Sequence, residues 1–300
     1  MKHRRSSVGR TRLILILLCI VLAAAMLWCA LSLILRVGTY SGRTVGKDPV
    51  QEQTPVEPVD LEPTVPENSY DPAGFYEEGG FKRYKSEDTL ASVGVDVSSH
   101  QQEIDWELVA ANGVEFAMIR VGYRGYSQGG LQMDERFREN MDGALAAGLD
   151  VGVYFFSQAI TVEEALEEAR FVLERVRDYD LTMPVVFDWE RQNYSGSRTQ
   201  KIPDTETMCR MANAFCEEIQ AEGYQPMVYF YQNLAYNNYD LSKIMEHPFW
   251  LAQYTDYPSF YYDFEMWQYT HTASVPGIEG NVDMNLAFRE FDEKPQHGEE

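Results

Sequence analysis

"PVVFDWERQN", residues 184–193, decides how the rest of the chain is read. Val185, Val186 and Phe187 favour a strand, and the run then ends in Asp188-Trp189-Glu190. Alternate residues of a strand face the same side. Asp188 and Glu190 therefore share a face, with backbones about 6.6 Å apart at ~3.3 Å per residue. Two carboxylates held that close cannot both ionise freely, so one pKa is expected to rise.

The same texture recurs on both sides of this stretch. Strands are predicted at 92–98, 115–122, 150–157, 183–190, 225–232, 248–254, 264–270 and 280–285. Helical patterns fall at 105–112, 134–147, 161–178 and 204–222. Near-continuous apolar strands alternating with helices imply a parallel sheet covered by helices. Eight such strands predict an α/β fold, an irregular (β/α) TIM-like barrel over residues 91–291, with helices missing between the last strands. Barrel sites form at the C-terminal ends of strands. Asp96, Asp188, Glu190 and Asp283 all fall at such positions.

An acid pair of this kind suits a glycosidase. One carboxyl stays protonated and donates to the leaving oxygen, while the other stabilises charge on the sugar. Helix capping or pairing with Arg is the ordinary alternative, and a carboxylate site for Mg²⁺ or Ca²⁺ is another. His3, His100, His247, His271 and His297 are scattered without a zinc spacing. Ser157 and Ser195 lack the context of a nucleophile elbow. No metal or cofactor is expected.

The N-terminal part reads differently. Leu13 to Leu35 is an uncharged run of 23 residues, and about 20 suffice to span a bilayer. Five bases precede it, which predicts a cytoplasmic tail over 1–12 and an outward-facing remainder. A cleaved signal peptide, followed by secretion, is the rival, with "AAA" at 23–25 as the cleavage site. Six of the 13 prolines lie between Pro49 and Pro72, amid many acids. Residues 36–90 are therefore expected to form a disordered, extended spacer, and 292–300 an acidic tail.

Residues 1–47 hold eight bases and no acids, so residues 48–300 carry −30 against −22 for the whole chain. So acidic a body excludes nucleic-acid binding, which needs basic surface. The 19 Tyr and 5 Trp suit carbohydrate binding or an aromatic core. Cys209 and Cys216 lie seven apart on one predicted helix. At 1.5 Å per residue that is roughly 10 Å, too far for a disulfide. They are read as small buried hydrophobes.

The stretch "VGVDVSSHQQEIDWELVAANGVEFAMIRVGYRG" resembles the opening of glycoside hydrolase family 25, the Chalaropsis-type lysozymes. "DERFRENMDGALAAGLDVGVYFFSQA", "MPVVFDWE", "FWLAQY" and "MWQYTHTASVPGIEGNVDMNLAF" follow in the family's order. The resemblance covers roughly 92–290. It implies a muramidase that cleaves the β-1,4 bond between N-acetylmuramic acid and N-acetylglucosamine in peptidoglycan. It assigns Glu190 as general acid and Asp188 as the partner of the substrate's acetamido group or of the adjacent charge. Asp96 and Asp283 are the two further acids of the site. Tyr123, Tyr154, Tyr231 and Trp267 are candidates to stack on sugars, and Arg120 and Gln268 to bind polar groups or hold the acids. For the aromatics, burial in the barrel is the alternative.

Two departures from the family pattern stand out. Gln102 replaces a common Gly, which bears on a turn because Gly tolerates positive φ. Phe155 replaces a frequent His, which is expected to remove a polar contact from the cleft. A chitinase-like glycosidase is a second reading, although its D-x-x-D-x-D-x-E run is absent. A non-catalytic glycan-binding envelope protein is a third. The expected partners are glycan strands and, through 13–35, the membrane, with the chain a monomer.

Overall fold

The computed structural model describes residues 64–291. The basic tail 1–12, the apolar run 13–35, the spacer up to 63 and the tail 292–300 lie outside the described residues. So do Cys19 and Cys29.

Eight strands close into a barrel: β3 (Ser92–Val97), β4 (Phe116–Arg124), β6 (Asp150–Ser157), β7 (Val185–Trp189), β8 (Pro226–Tyr231), β9 (Phe249–Ala252), β10 (Met266–Ala273) and β11 (Val282–Ala287). These are the eight predicted strands. The first seven run parallel, and pairing of β3 with β4 helps complete the ring. The last differs from the parallel expectation: β11 is antiparallel to both β10 and β3. Only residues 274–281 separate it from β10, with no helix to carry the chain back. So short a link permits only a reversal. A further short strand, β5 (Leu131–Met133), pairs antiparallel with the end of β4 outside the ring.

Helices α1 (Trp106–Ala111), α2 (Phe137–Ala146), α3 (Val162–Val176) and α4 (Thr205–Ala221) match the four predicted helical patterns. α5 (Gln232–Asn238) follows β8 directly. Asp105, Thr161 and Asp204 accept from the backbone N–H three residues on, so the sequence itself caps α1, α3 and α4. Cys209 and Cys216 are free and buried in the apolar face of α4, as expected.

Strand alternation sorts the core into two bodies. Val93, Val95, Ile119, Val153, Phe187 and Phe230 face outward into the helix layer. Phe116, Met118, Val186, Met227, Trp250 and Met266 fill the lower barrel interior. Gly94 makes room for this plug, since a Cβ there would stand 2.3 Å from the Phe116 ring. Truncating a plug residue such as Phe116 to Ala is expected to cost about 3–5 kcal/mol. Above the plug the inward positions turn polar, and those residues form the site.

The spacer prediction needs correction from residue 64 onward. Residues 75–84 form a hairpin, β1 (Phe75–Glu78) with β2 (Phe81–Tyr84). Tyr70 stacks on Phe288 at 4.0 Å and donates to the Phe264 carbonyl at 2.8 Å. Phe75 meets Trp267 edge-on at 5.4 Å, and Phe81 and Tyr84 are buried. The missing helix between β10 and β11 leaves apolar side chains on the outer face, and residues 64–90, a strap that includes this hairpin, cover Trp267 and Phe288 there.

Candidate active site

The period-two pattern of β7 runs Val186, Asp188, Glu190. Val186 belongs to the plug, and the two acids stand above it in the cleft. The cleft has a volume of about 320 Å³ and also receives Asp96 from β3 and Asp283 from β11. Asp96 and Asp283 are directly paired across β3 and β11. Because β11 runs the opposite way, Asp283 near its N-terminal end reaches the rim that other strands reach with their C-termini.

Asp96 is held firmly. Its Oδ2 accepts from Gln268 Nε2 at 2.9 Å and from Asn285 Nδ2 at 2.8 Å. Gln268 Oε1 in turn accepts from the hydroxyls of Tyr229 at 3.2 Å and Tyr254 at 2.9 Å. Trp250 Nε1 donates to Asn285 Oδ1 at 2.9 Å. Both amides are thereby oriented to donate to Asp96. Burial raises Asp96 to about 6, and the two amide bonds pull against that rise.

Asp188 is buried, and its Oδ1 has no hydrogen-bond partner. Burial pushes its pKa well up, and the nearby Glu190 and Asp96 add to the push. Arg120 opposes it, but Arg120 is itself bound to the buried Asp134, from Nε at 2.8 Å and Nη2 at 2.7 Å. Glu190, partly exposed at the cleft mouth, rises to about 7 through burial and the charge of Asp96, while its interaction with the Tyr229 hydroxyl works downward. Asp283 rises to about 8, through burial first and then the charges of Asp96 and Glu190. Four carboxyls crowd around one already paired guanidinium, so the cluster loses its protons in steps across neutrality rather than all together near pH 4. A carboxyl near 7 can both give and regain a proton there.

Tyr154, Arg120 and Gln268 line the cleft. Tyr123 lies beside it, with Arg120 over its ring at 5.5 Å. Tyr231 lines an adjoining cavity of about 420 Å³ with Gln232, Asn233 and Gln253, and that cavity shares Glu190, Tyr229 and Tyr254 with the cleft. Trp267 is a correction. It is fully buried on the outer face of β10, donates to the Gln253 carbonyl at 2.8 Å and packs under the strap. Its neighbour Gln268 faces inward, and adjacent strand residues cannot share a face. Phe155 is a second correction. It sits in the outer layer against Phe171 at 5.6 Å, so it replaces no cleft contact. Gln102 does adopt positive φ, at 55°, in the turn after cleft residues Ser98, His100 and Gln101.

Tyr229, Trp250, Tyr254 and Asn285 are site residues not anticipated from the sequence. Tyr229 is two before Tyr231, and Asn285 is two after Asp283. The spacing that pairs Asp188 with Glu190 would have found both. A larger groove of about 770 Å³ lies between residues 64–67 and Tyr236, Tyr261 and Tyr262. Its acids Glu67 and Asp240 are engaged by Tyr261 and Ser242, and it brings no carboxyls face to face. Among the described residues no three His, Cys, Asp or Glu side chains are grouped to hold a metal ion.

A barrel carrying clustered carboxyls of shifted pKa at its C-terminal rim defines the class of a glycoside hydrolase. The chain belongs to glycosyl hydrolases family 25, whose family model matches residues 95–278. It is 29% identical over 208 residues to lysozyme M1 of Streptomyces globisporus, covering 66% of this chain and 68% of that one. It is similar to the modular autolysin LytC of Streptococcus pneumoniae, whose structure was determined with a synthetic peptidoglycan ligand (26% identity, TM-score 0.59, 71% of this chain). The match spans about half of that autolysin, 52% of its chain. A family 25 glycosyl hydrolase of Bacillus anthracis shares the fold at 22% identity and TM-score 0.57, covering 69% of this chain and 93% of its own.

Proposed function

We propose that this chain is a muramidase that cleaves the β-1,4 bond between N-acetylmuramic acid and N-acetylglucosamine in peptidoglycan. The observation that carries this reading is the pair at the C-terminal end of β7. Glu190 is raised to about 7 at the cleft mouth, and Asp188 stands two residues before it with a buried, unpartnered oxygen. Family membership and the lysozyme relatives support the substrate class.

In this mechanism Glu190 gives its proton to the glycosidic oxygen as the bond to C1 breaks. The carbonyl oxygen of the substrate's 2-acetamido group bonds to C1, and Asp188 accepts the amide N–H and holds the group in line. Water then attacks C1, returns a proton to Glu190, and the acetamido oxygen leaves. Substrate assistance of this kind departs from the two-carboxylate scheme with a protein nucleophile. Asp96, raised only to about 6, is mostly ionised near neutrality and keeps the local field negative, which favours positive charge on the sugar. The adjoining cavity at Tyr231 receives the leaving sugar.

The uncharged run 13–35 acts as a single-pass anchor with an inner N-terminus, supported by its length and the five bases before it. Protease added outside intact cells should cut within residues 48–63, and protection there would reverse the orientation. For the activity, the full chain in detergent should release reducing ends from purified peptidoglycan. Glu190→Gln should lower the rate by about 100-fold or more. Equal rates for the two proteins would remove Glu190 from the mechanism.

A further inference from the structure

β7 ends at Trp189, whose ladder partner is Ser157, the last residue of β6. The backbone of Glu190 thus lies one residue beyond the sheet, with no rung of its own. A side chain supplies one. Gln158, fully buried directly after β6, donates from Nε2 to the Glu190 carbonyl at 2.6 Å and to the Ser157 carbonyl at 2.8 Å. Its Oε1 accepts from Thr199 Oγ1 at 2.6 Å. Both N–H groups and the oxygen are used, so the amide has one orientation only.

Thr199, also fully buried, continues the chain. Its Oγ1 accepts from the Gln192 N–H at 3.0 Å, and its own N–H donates to Ser197 Oγ at 3.2 Å. Gln192 lines the cleft. Main-chain groups at 190 and 192 are therefore both gripped from the interior. A third tie, Trp189 Nε1 to the Ala159 carbonyl at 2.8 Å, holds the residue just before the acid.

We propose that Gln158 and Thr199 are positioning residues for the general acid: their relay replaces the missing ladder rung and holds Glu190 at the glycosidic oxygen. This rests on Glu190 being the proton donor. Displacement of a reacting group by about 1 Å can cost about 100-fold in rate, and buried supports of this kind set such placement. A purely structural role would satisfy the backbone of 190–192 without touching chemistry, so the two roles separate in what they change.

The test compares Thr199→Val, which keeps shape but loses the hydroxyl, with Thr199→Ser, which keeps it. Gln158→Leu and Glu190→Gln complete the set, all in the full chain and well below their melting temperatures. The proposal expects Thr199→Val and Gln158→Leu to lower kcat by about tenfold or more with KM within about twofold. The alkaline limb of the rate profile should move, and Thr199→Ser should stay close to wild type. Carbon-13 titration of the Glu190 carboxyl should show the same displaced pKa, and this readout needs no turnover. Thr199→Val with lower melting temperature but wild-type kcat, pH profile and Glu190 titration would overturn the proposal. If wild type and Glu190→Gln were equally inactive, the muramidase reading would fail, while the titration would still decide whether the relay sets Glu190.

Discussion

At the scale of single residues, the period of two is the most informative signal. It makes Asp188 and Glu190 legible as a pair, and the same period extends to Tyr229 with Tyr231 and to Asp283 with Asn285. Trp267 was misread because side-chain type was weighed without strand parity: with Gln268 facing in, Trp267 faces out. The locking of Asp96 by Gln268 and Asn285 was beyond sequence reasoning, since it joins residues more than 170 positions apart. Gln102 yields a prediction of its own. Its φ of 55° and ψ of −132° belong to a region that glycine occupies without strain. Gln102→Gly should therefore raise stability by about 1 kcal/mol, read as a higher urea midpoint with unchanged slope. A lower midpoint would mean that the bond from Gln102 Nε2 to the Ser99 carbonyl, 2.8 Å, outweighs the strain.

At the scale of elements, the eight barrel strands and four of the helices were legible because their apolar periodicity is strong. The strap was not. Prolines and acids up to Pro72 gave residues 36–90 the composition of a spacer, yet "FYEEGGFKRY" carries a hairpin signal in its Gly79-Gly80 turn. Both glycines have positive φ, 64° and 87°, as such a turn requires. The consequence is testable by truncation. A chain starting at residue 64 should unfold cooperatively with the midpoint of the full chain. One starting at 91 exposes Trp267 and Phe288 and should lose about 3 kcal/mol or more, from the burial of two or more aromatic side chains. Equal midpoints for the two fragments would make the strap an accessory rather than part of the fold.

At the scale of the whole molecule, the acid cluster trades stability for chemistry. Asp96, Asp188, Glu190 and Asp283 are all raised above their ordinary values. In the unfolded chain these groups ionise near pH 4, whereas in the fold they keep protons to about 6, 7 and 8 for Asp96, Glu190 and Asp283. The native state then binds more protons than the unfolded one, so stability is full below pH 4 for these groups and falls as pH rises towards 8. Asp188→Asn should remove part of that fall. Its melting temperature should exceed that of wild type at pH 8 and approach it at pH 4, while turnover drops. A variant that destabilises equally at both values would show that Asp188 is not strained by its neighbours.

The central claim is that Glu190 protonates the bond on the reducing side of N-acetylmuramic acid. Mass spectrometry of borohydride-reduced products from purified peptidoglycan tests it most directly. The account predicts fragments ending in reduced muramic acid, formed by wild type and lost by about 100-fold or more with Glu190→Gln. Fragments ending in reduced glucosamine, or muramic ends that persist unchanged in Glu190→Gln, would contradict it.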